Sequence, residues 1–309
     1  MTPLRCAAGS LARDEPAYGT ASTVRGYLLV EYAGAWGRDA LHDSRLPTAV
    51  KTHLRETAAQ LGVKVLLIRR HARQRADAGD AGCRIFAVYA DPNAPWAETT
   101  TLAQHEDVLD LDVTALGRGA SVGLTAHHEP LFLTCTHGRH DTCCAELGRP
   151  VAKALAAQQP GRAWEVSHIG GDRFAGNVLV LPEGLYYGRV EPANATELAS
   201  RHLDGRLSLD LLRGRSGYPF AVQAAEWFLR TYLGEDRLGA LRLRRRERLG
   251  EDWHVAFDVS GQVWAVRLRM GTRPPEQLTC TALRLNSAPT YELLDIAGPS
   301  ENSGAVSGR

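Results

Sequence analysis

The order of its hydrophobic segments constrains this 309-residue chain more than any single residue does. G-Y-L-L-V-E-Y at 26–32 reads as a strand, and residues 48–61 place Val50, Leu54, Ala58 and Leu61 at helical spacing. V-K-V-L-L-I at 63–68 and C-R-I-F-A-V-Y-A at 83–90 are strands by their β-branched and aromatic content. About 100 residues later the same order returns. L-F-L-T at 131–134 is a strand, and a helix over 148–159 has Pro150 near its first turn and Pro160 as its stop. Strands follow at 163–168 and 177–182, the latter closed by a turn at Glu183-Gly184. Strand, helix, strand, strand, met twice, predicts two tandem α/β units, over 1–125 and 126–235. The second closes with the amphipathic helix A-V-Q-A-A-E-W-F-L-R-T-Y-L at 221–233. Strands at 253–259 and 263–270, joined through Ser260-Gly261, predict a small β-hairpin extension over 236–297. Residues 298–309 hold too little apolar content to order themselves, which predicts a disordered tail.

The composition suits such a chain and narrows its partners. Hydrophobic residues at 44% and charged residues at 23% are ordinary globular values. The net charge of +1, from 36 basic and 35 acidic side chains, supplies no field that would steer the protein to nucleic acid or an anionic membrane. The one basic run, L-R-L-R-R-R-E-R at 241–248, has no interleaved aromatics and reads as a solvated face. No segment approaches the length of apolar chain that spans a bilayer, and the N-terminal M-T-P-L-R-C-A-A-G-S lacks an apolar leader core. A cytoplasmic protein is the expectation. In that reducing setting, clustered cysteines read as metal ligands or redox groups rather than as structural disulfides.

The cysteines are clustered. C-T-H-G-R-H-D-T-C-C at 135–144 holds three of the six in the chain, and H-I-G-G-D follows at 168–172. Cys135 ends one predicted strand and His168 another, and the Gly170-Gly171 turn presents Asp172. Ligands at strand ends and in adjoining loops can converge on one point while the strands hold their positions. Thiolate and imidazole favour zinc, copper or iron-sulfur over magnesium or calcium. Neither C-x(7)-C nor C-x(8)-C has the paired spacing usual in structural zinc sites, whereas a two-iron cluster accepts wide pairs from separate loops. Spacing alone leaves zinc and iron-sulfur both open. Cys6, Cys83 and Cys280 read as packing cysteines. Asp141 and Arg173 read as groups that fix the loops around the site, and G-R-S-G-Y-P at 214–219 reads as a turn or hinge.

Together, C-T-H-G-R-H-D-T-C-C, H-I-G-G-D-R-F-A-G-N and G-R-S-G-Y-P before a helix resemble the sucrase/ferredoxin-like family, which includes thioredoxin-like ferredoxins. The resemblance is strongest from about 128 to 235. It implies a thioredoxin-like fold for the second unit, and the repeated element order then makes the first unit a degenerate copy without a site. It also implies a 2Fe-2S cluster as cofactor, with Cys135 and Cys144 on one iron and His168 on the other. The family's second histidine falls on Asp172, so Asp172 is the expected fourth ligand, with Cys143, His137 or His140 as substitutes. The function implied is electron transfer between an unknown donor and acceptor protein. Two other readings accompany it: a thiol-disulfide oxidoreductase built on Cys135, and a zinc-stabilised binding module. Glycoside hydrolysis, which the family's name suggests, needs two facing carboxylates, and no pair of acids is spaced for that role.

Overall fold

The computed structural model describes residues 5–71 and 82–299, and the structure is mixed α/β. A short helix α1 (Cys6–Ala12) precedes β1 (Gly26–Glu31), α2 (Thr48–Leu61), β2 (Lys64–Arg69), β3 (Cys83–Tyr89), β4 (Trp96–Leu102) and the two-residue β5 (Thr125–Ala126). Then come β6 (Leu131–Cys135), α3 (Thr142–Gln158), β7 (Ala163–Val166), β8 (Val178–Leu181), β9 (Leu185–Tyr187), α4 (Pro192–Leu203), β10 (Leu212–Arg215) and α5 (Phe220–Leu233). Four longer strands end the described chain: β11 (Leu241–Leu249), β12 (Asp252–Val259), β13 (Gln262–Thr272) and β14 (Pro289–Ala297).

Ten strands form one sheet in the order β10-β9-β8-β6-β7-β2-β1-β3-β4-β5. β1 runs parallel to β2 and antiparallel to β3, and β3 antiparallel to β4. β6 repeats this with β7, β8 and β9. Each half thus has its strands in the order fourth, third, first, second, with the third opposed to the rest, which is the thioredoxin-like arrangement. The halves join where β2 and β7 pair antiparallel, through Ile68 with Val166 and Arg69 with Glu165.

Alternation along the strands explains the layers, since successive side chains leave opposite faces. Tyr27, Leu29, Phe86, Leu133 and Leu179 share one face and one core across both halves. The sheet curls so that this face meets itself: the Tyr27 and Tyr186 hydroxyls lie 3.4 Å apart, and the Phe86 and Trp164 rings meet edge-on at 5.7 Å. On the outer face, Leu28, Val30 and Ile85 pack with Val50 and Leu54 of α2. Phe132, Val178 and Val180 pack with α3 and α4.

The predicted hairpin is present as β12 and β13, turned by Ser260 and Gly261 with φ of 54° and 85°. It forms the middle of a four-stranded antiparallel sheet, β11-β12-β13-β14, packed on α5. The basic run is the edge strand β11, where exposed arginines discourage pairing with another sheet. Of the predicted tail, residues 300–309 lie outside the described residues.

One predicted boundary is corrected. The helix expected over 148–159 begins at Thr142, so Pro150 sits inside it rather than in its first turn. Asp141, in extended conformation, caps that helix by accepting a hydrogen bond from the Cys143 amide at 2.9 Å, a stronger start signal than the proline. Among the described residues no helix is long and apolar enough to cross a membrane.

Candidate metal centre

Four separate local causes bring the predicted ligands together. Leu131, Leu133 and Cys135 alternate onto the interior face, so the strand itself aims Cys135 inward. The Asp141 cap then starts α3 at once and places Cys143 and Cys144 in its first turn. Adjacent residues on a helix leave it about 100° apart, so one can face the interior while the other faces away. Cys144 joins the interior core. Helix and strand can approach this closely because residue 148 is glycine: a Cβ there would lie 2.0 Å from the carbonyl oxygen of Cys135.

β7 runs parallel to β6 with Val166 opposite Cys135, so His168, two residues further on, emerges at the same sheet end. The turn that follows has Gly170 and Gly171 at φ of 96° and 79°, left-handed values that favour glycine. Two side chains hold it from beneath. Asn177 Nδ2 donates to the Gly171 carbonyl at 2.8 Å. The buried Arg213 donates to the Gly170 carbonyl at 2.9 Å, to Asn177 Oδ1 at 2.8 Å and to the Thr20 carbonyl at 2.6 Å. A Cβ at Gly171 would strike that guanidinium at 2.3 Å. The turn therefore has one position, and it delivers Asp172.

At the centre, Cys144 Sγ donates to Asp172 Oδ1 at 3.1 Å, and His168 Nδ1 stands 3.0 Å from the same oxygen. Cys135 and Cys144 interact through their thiols. Cys135, Cys144 and Asp172 are almost wholly buried, while about 29% of the His168 side chain is exposed. His140 stacks on His168 with ring centroids 3.7 Å apart, and its Nε2 is 3.7 Å from Asp172 Oδ2.

The charges sort themselves. Hydrogen bonding from Cys144 lowers the Cys135 thiol despite its burial, and the same bond raises Cys144 well above its ordinary value. Burial raises the Asp172 carboxyl, but the hydrogen bond and charge of His168 and the Cys144 thiol outweigh it and hold the group below its usual range. Burial lowers His140 and His137. Lys64, which donates to the Ile169 carbonyl at 3.4 Å, is pushed down by burial to about 8, partly offset by the charge on Cys135.

Asp172 thus has Cys144 on one side and His168 on the other, with Cys135 beside Cys144, while donor atoms of His140, His168 and Asp172 all lie within 4.8 Å of one another; the substitutes fare differently. Cys143 points away, its sulfur 3.4 Å from that of Cys280. His137 has both nitrogens engaged, with Nε2 bonded to the Gly37 carbonyl at 2.9 Å and Nδ1 accepting from the His168 amide at 3.2 Å. His140 remains within reach of Asp172. The exposed edge of His168 opens onto a cleft of about 640 Å³ lined also by Arg38, Asp39, Arg55 and the half-buried Lys64.

Arg213, Asn177 and Lys64 were not singled out in the sequence. Asn177 ends the H-I-G-G-D-R-F-A-G-N motif, a position that gave it some signal. Arg213 carries none, since one arginine before a glycine resembles any other. Arg173, read as a group that fixes the loops around the site, pairs with Glu15 at 2.7 Å.

The family model described as sucrase/ferredoxin-like matches residues 17–214. Two curated relatives are similar over shorter spans, both described as altered inheritance of mitochondria protein 32. The protein from Debaryomyces hansenii is 24% identical over 131 residues, covering 39% of this chain and 44% of the relative. The protein from Meyerozyma guilliermondii is 29% identical over 97 residues, covering 28% and 34%. The chain thus spans less than half the length of these relatives. Among solved structures, a thioredoxin-like [2Fe-2S] ferredoxin from Aquifex aeolicus is 19% identical, with 30% of this chain and 97% of the ferredoxin covered and a TM-score of 0.27. A variant of that ferredoxin is 20% identical, with 27% and 97% covered and a TM-score of 0.25.

Proposed function

The chain belongs to the sucrase/ferredoxin-like family, and from that premise we propose that it is an electron-transfer protein holding a 2Fe-2S cluster. Cys135 and Cys144 would bind one iron, and His168 and Asp172 the other. The observation that carries this reading is the way the four side chains converge. Asp172 Oδ1 stands 3.1 Å from Cys144 Sγ and 3.0 Å from His168 Nδ1, so a sulfur, a nitrogen and an oxygen donor already face one another there. The donor chemistry also fits, with two sulfurs on one side and a nitrogen and an oxygen on the other.

When bound, such a cluster takes up and releases single electrons. The chain's own residues would do the rest. The interior core keeps water from Cys135 and Cys144, Asn177 and Arg213 fix the turn that holds Asp172, and the buried Arg213 cation offsets the negative donors. His168, with one edge in the cleft, gives the shortest covalent route from the site to solvent. A redox partner that docks there meets Arg38, Arg55 and Lys64, so an acidic face is the expected complement.

Burial also weighs against thiol-disulfide exchange, which needs access to a sulfur. Cys135 and Cys144 are each 1% exposed, and Cys143 faces elsewhere. The test is to purify the protein without oxygen and measure iron, acid-labile sulfide and the visible spectrum. The reading expects brown protein with about two irons and two sulfides per chain. Colourless, iron-free protein from cells able to assemble such clusters would overturn it.

A further inference from the structure

A second constellation lies on the other side of the α3 start. Cys6 opens α1, Cys143 sits in the first turn of α3, and Cys280 lies in the connection between β13 and β14. These three sulfurs come from the two ends and the middle of the chain, yet Cys143 Sγ is 3.4 Å and Cys6 Sγ 3.5 Å from Cys280 Sγ. Cys6 Sγ is also 3.6 Å from both carboxylate oxygens of Asp141. One donor atom from each of the four residues lies within 4.8 Å of every other. Cys6, Cys143 and Asp141 are buried and Cys280 is half-buried.

We propose that Cys6, Cys143 and Cys280, with an oxygen of Asp141 in the fourth position, form a zinc site separate from the proposed iron-sulfur centre. Three observations carry it. The first is the spacing. Sulfurs bound to tetrahedral zinc at about 2.3 Å stand roughly 3.8 Å apart, so the cluster need open by only a few tenths of an ångström. A disulfide would require one pair to close to about 2.05 Å and would strand the third thiol.

The second is the surrounding hydrogen bonding, which fixes the ligands as outer partners do at metal sites. Asp141 accepts from the Cys143 amide at 2.9 Å and from the Cys280 amide at 2.7 Å, and the Cys6 amide donates to Cys280 Sγ at 3.4 Å. The third is donor softness, since three sulfurs select zinc over calcium or magnesium. On binding, Zn²⁺ displaces the three thiol protons to solvent, with no change of oxidation state.

The site would staple the N-terminal helix and the β13–β14 connection to the first turn of α3. Because Cys143 and Cys144 are neighbours, it would also fix the backbone from which Cys144 reaches the other centre.

The experiment is elemental analysis with zinc K-edge absorption spectroscopy on the full chain purified with zinc present, and on Cys280→Ser and Cys144→Ser. Cys280 lies in a surface connection, so its substitution leaves the core intact. The inference expects about one zinc per chain with three sulfur neighbours near 2.3 Å. Cys280→Ser should lose that zinc while keeping any iron, and Cys144→Ser should do the reverse. Should Cys280→Ser disturb folding, Asp141→Asn offers a second variant, expected to weaken zinc retention against a chelator. Zinc that survives Cys280→Ser but leaves with Cys144→Ser, a Cys143–Cys280 disulfide in freshly purified protein, or no zinc at all would each overturn the inference. Zinc without iron would defeat the proposed function and leave this site standing.

Discussion

The two halves of the large sheet share strand order, the helix between their first two strands and one core, and differ in what stands at one strand end. Cys135 closes β6 opposite Val166, and the corresponding residue of β1, opposite Ile68, is Glu31. In the second half the chain passes from strand to helix through residues 136–141, short enough that the Asp141 cap brings two cysteines beside the strand end. In the first half it takes residues 32–47, and the longer loop runs over its neighbour. Gly37 and Arg38 accept hydrogen bonds from His137 and His140, and the Trp36 ring meets His137 edge-on. One copy of the scaffold thus carries the proposed donors and the other covers them. The scaffold permits a site, but loop length and a handful of buried polar groups make one.

Substitutions at matching positions break or sharpen this contrast. The largest effect is expected from Cys144→Ser, which should abolish bound iron and visible absorbance, whereas Glu31→Gln in the other half should leave both near wild type. Iron analysis of the two proteins side by side checks this, and equal loss from both would erase the distinction between the halves.

Next comes Arg213→Met. It leaves the Gly170 and Thr20 carbonyls and Asn177 Oδ1 without their buried partner, and should lower the unfolding free energy by about 3–5 kcal/mol in a denaturant titration. A change under about 1 kcal/mol would mean that water replaces the guanidinium and that the turn is not held as described.

A pair of glycines gives a smaller difference. Gly148→Ala forces α3 off the end of β6 and should cost about 2–3 kcal/mol. Gly62→Ala, after α2 in the first half, meets open space and pays only the left-handed backbone strain of about 1 kcal/mol. Smaller still, Asp172→His should slow the loss of iron to a chelator severalfold, since imidazole is a softer donor than carboxylate. Faster loss would argue that Asp172 is no ligand.

Much of the fold was legible because strands and helices announce themselves by period. The repeated order of the first strand, helix and two strands needed only hydrophobic spacing. The start of α3 was misplaced because Pro150 is a familiar first-turn signal, whereas the decisive cap, Asp141, sat inside a motif already read as ligands. At the candidate centre, Cys135, Cys144, His168 and Asp172 could be chosen from motif and resemblance. Arg213 could not, because it acts through hydrogen bonds to carbonyls far away in sequence. Cys6 and Cys280 read as packing cysteines for the same reason: 274 residues separate two sulfurs that the fold sets 3.5 Å apart.

The most direct test is pulsed electron paramagnetic resonance of the anaerobically reduced protein, prepared with natural-abundance and with ¹⁵N-labelled histidine. The account predicts a two-iron signal coupled to one histidine nitrogen, that of His168, and loss of that coupling in His168→Cys. Coupling to two histidine nitrogens would place His140 on the iron in place of Asp172, and a signal with none, or no two-iron signal at all, would contradict the account of this centre.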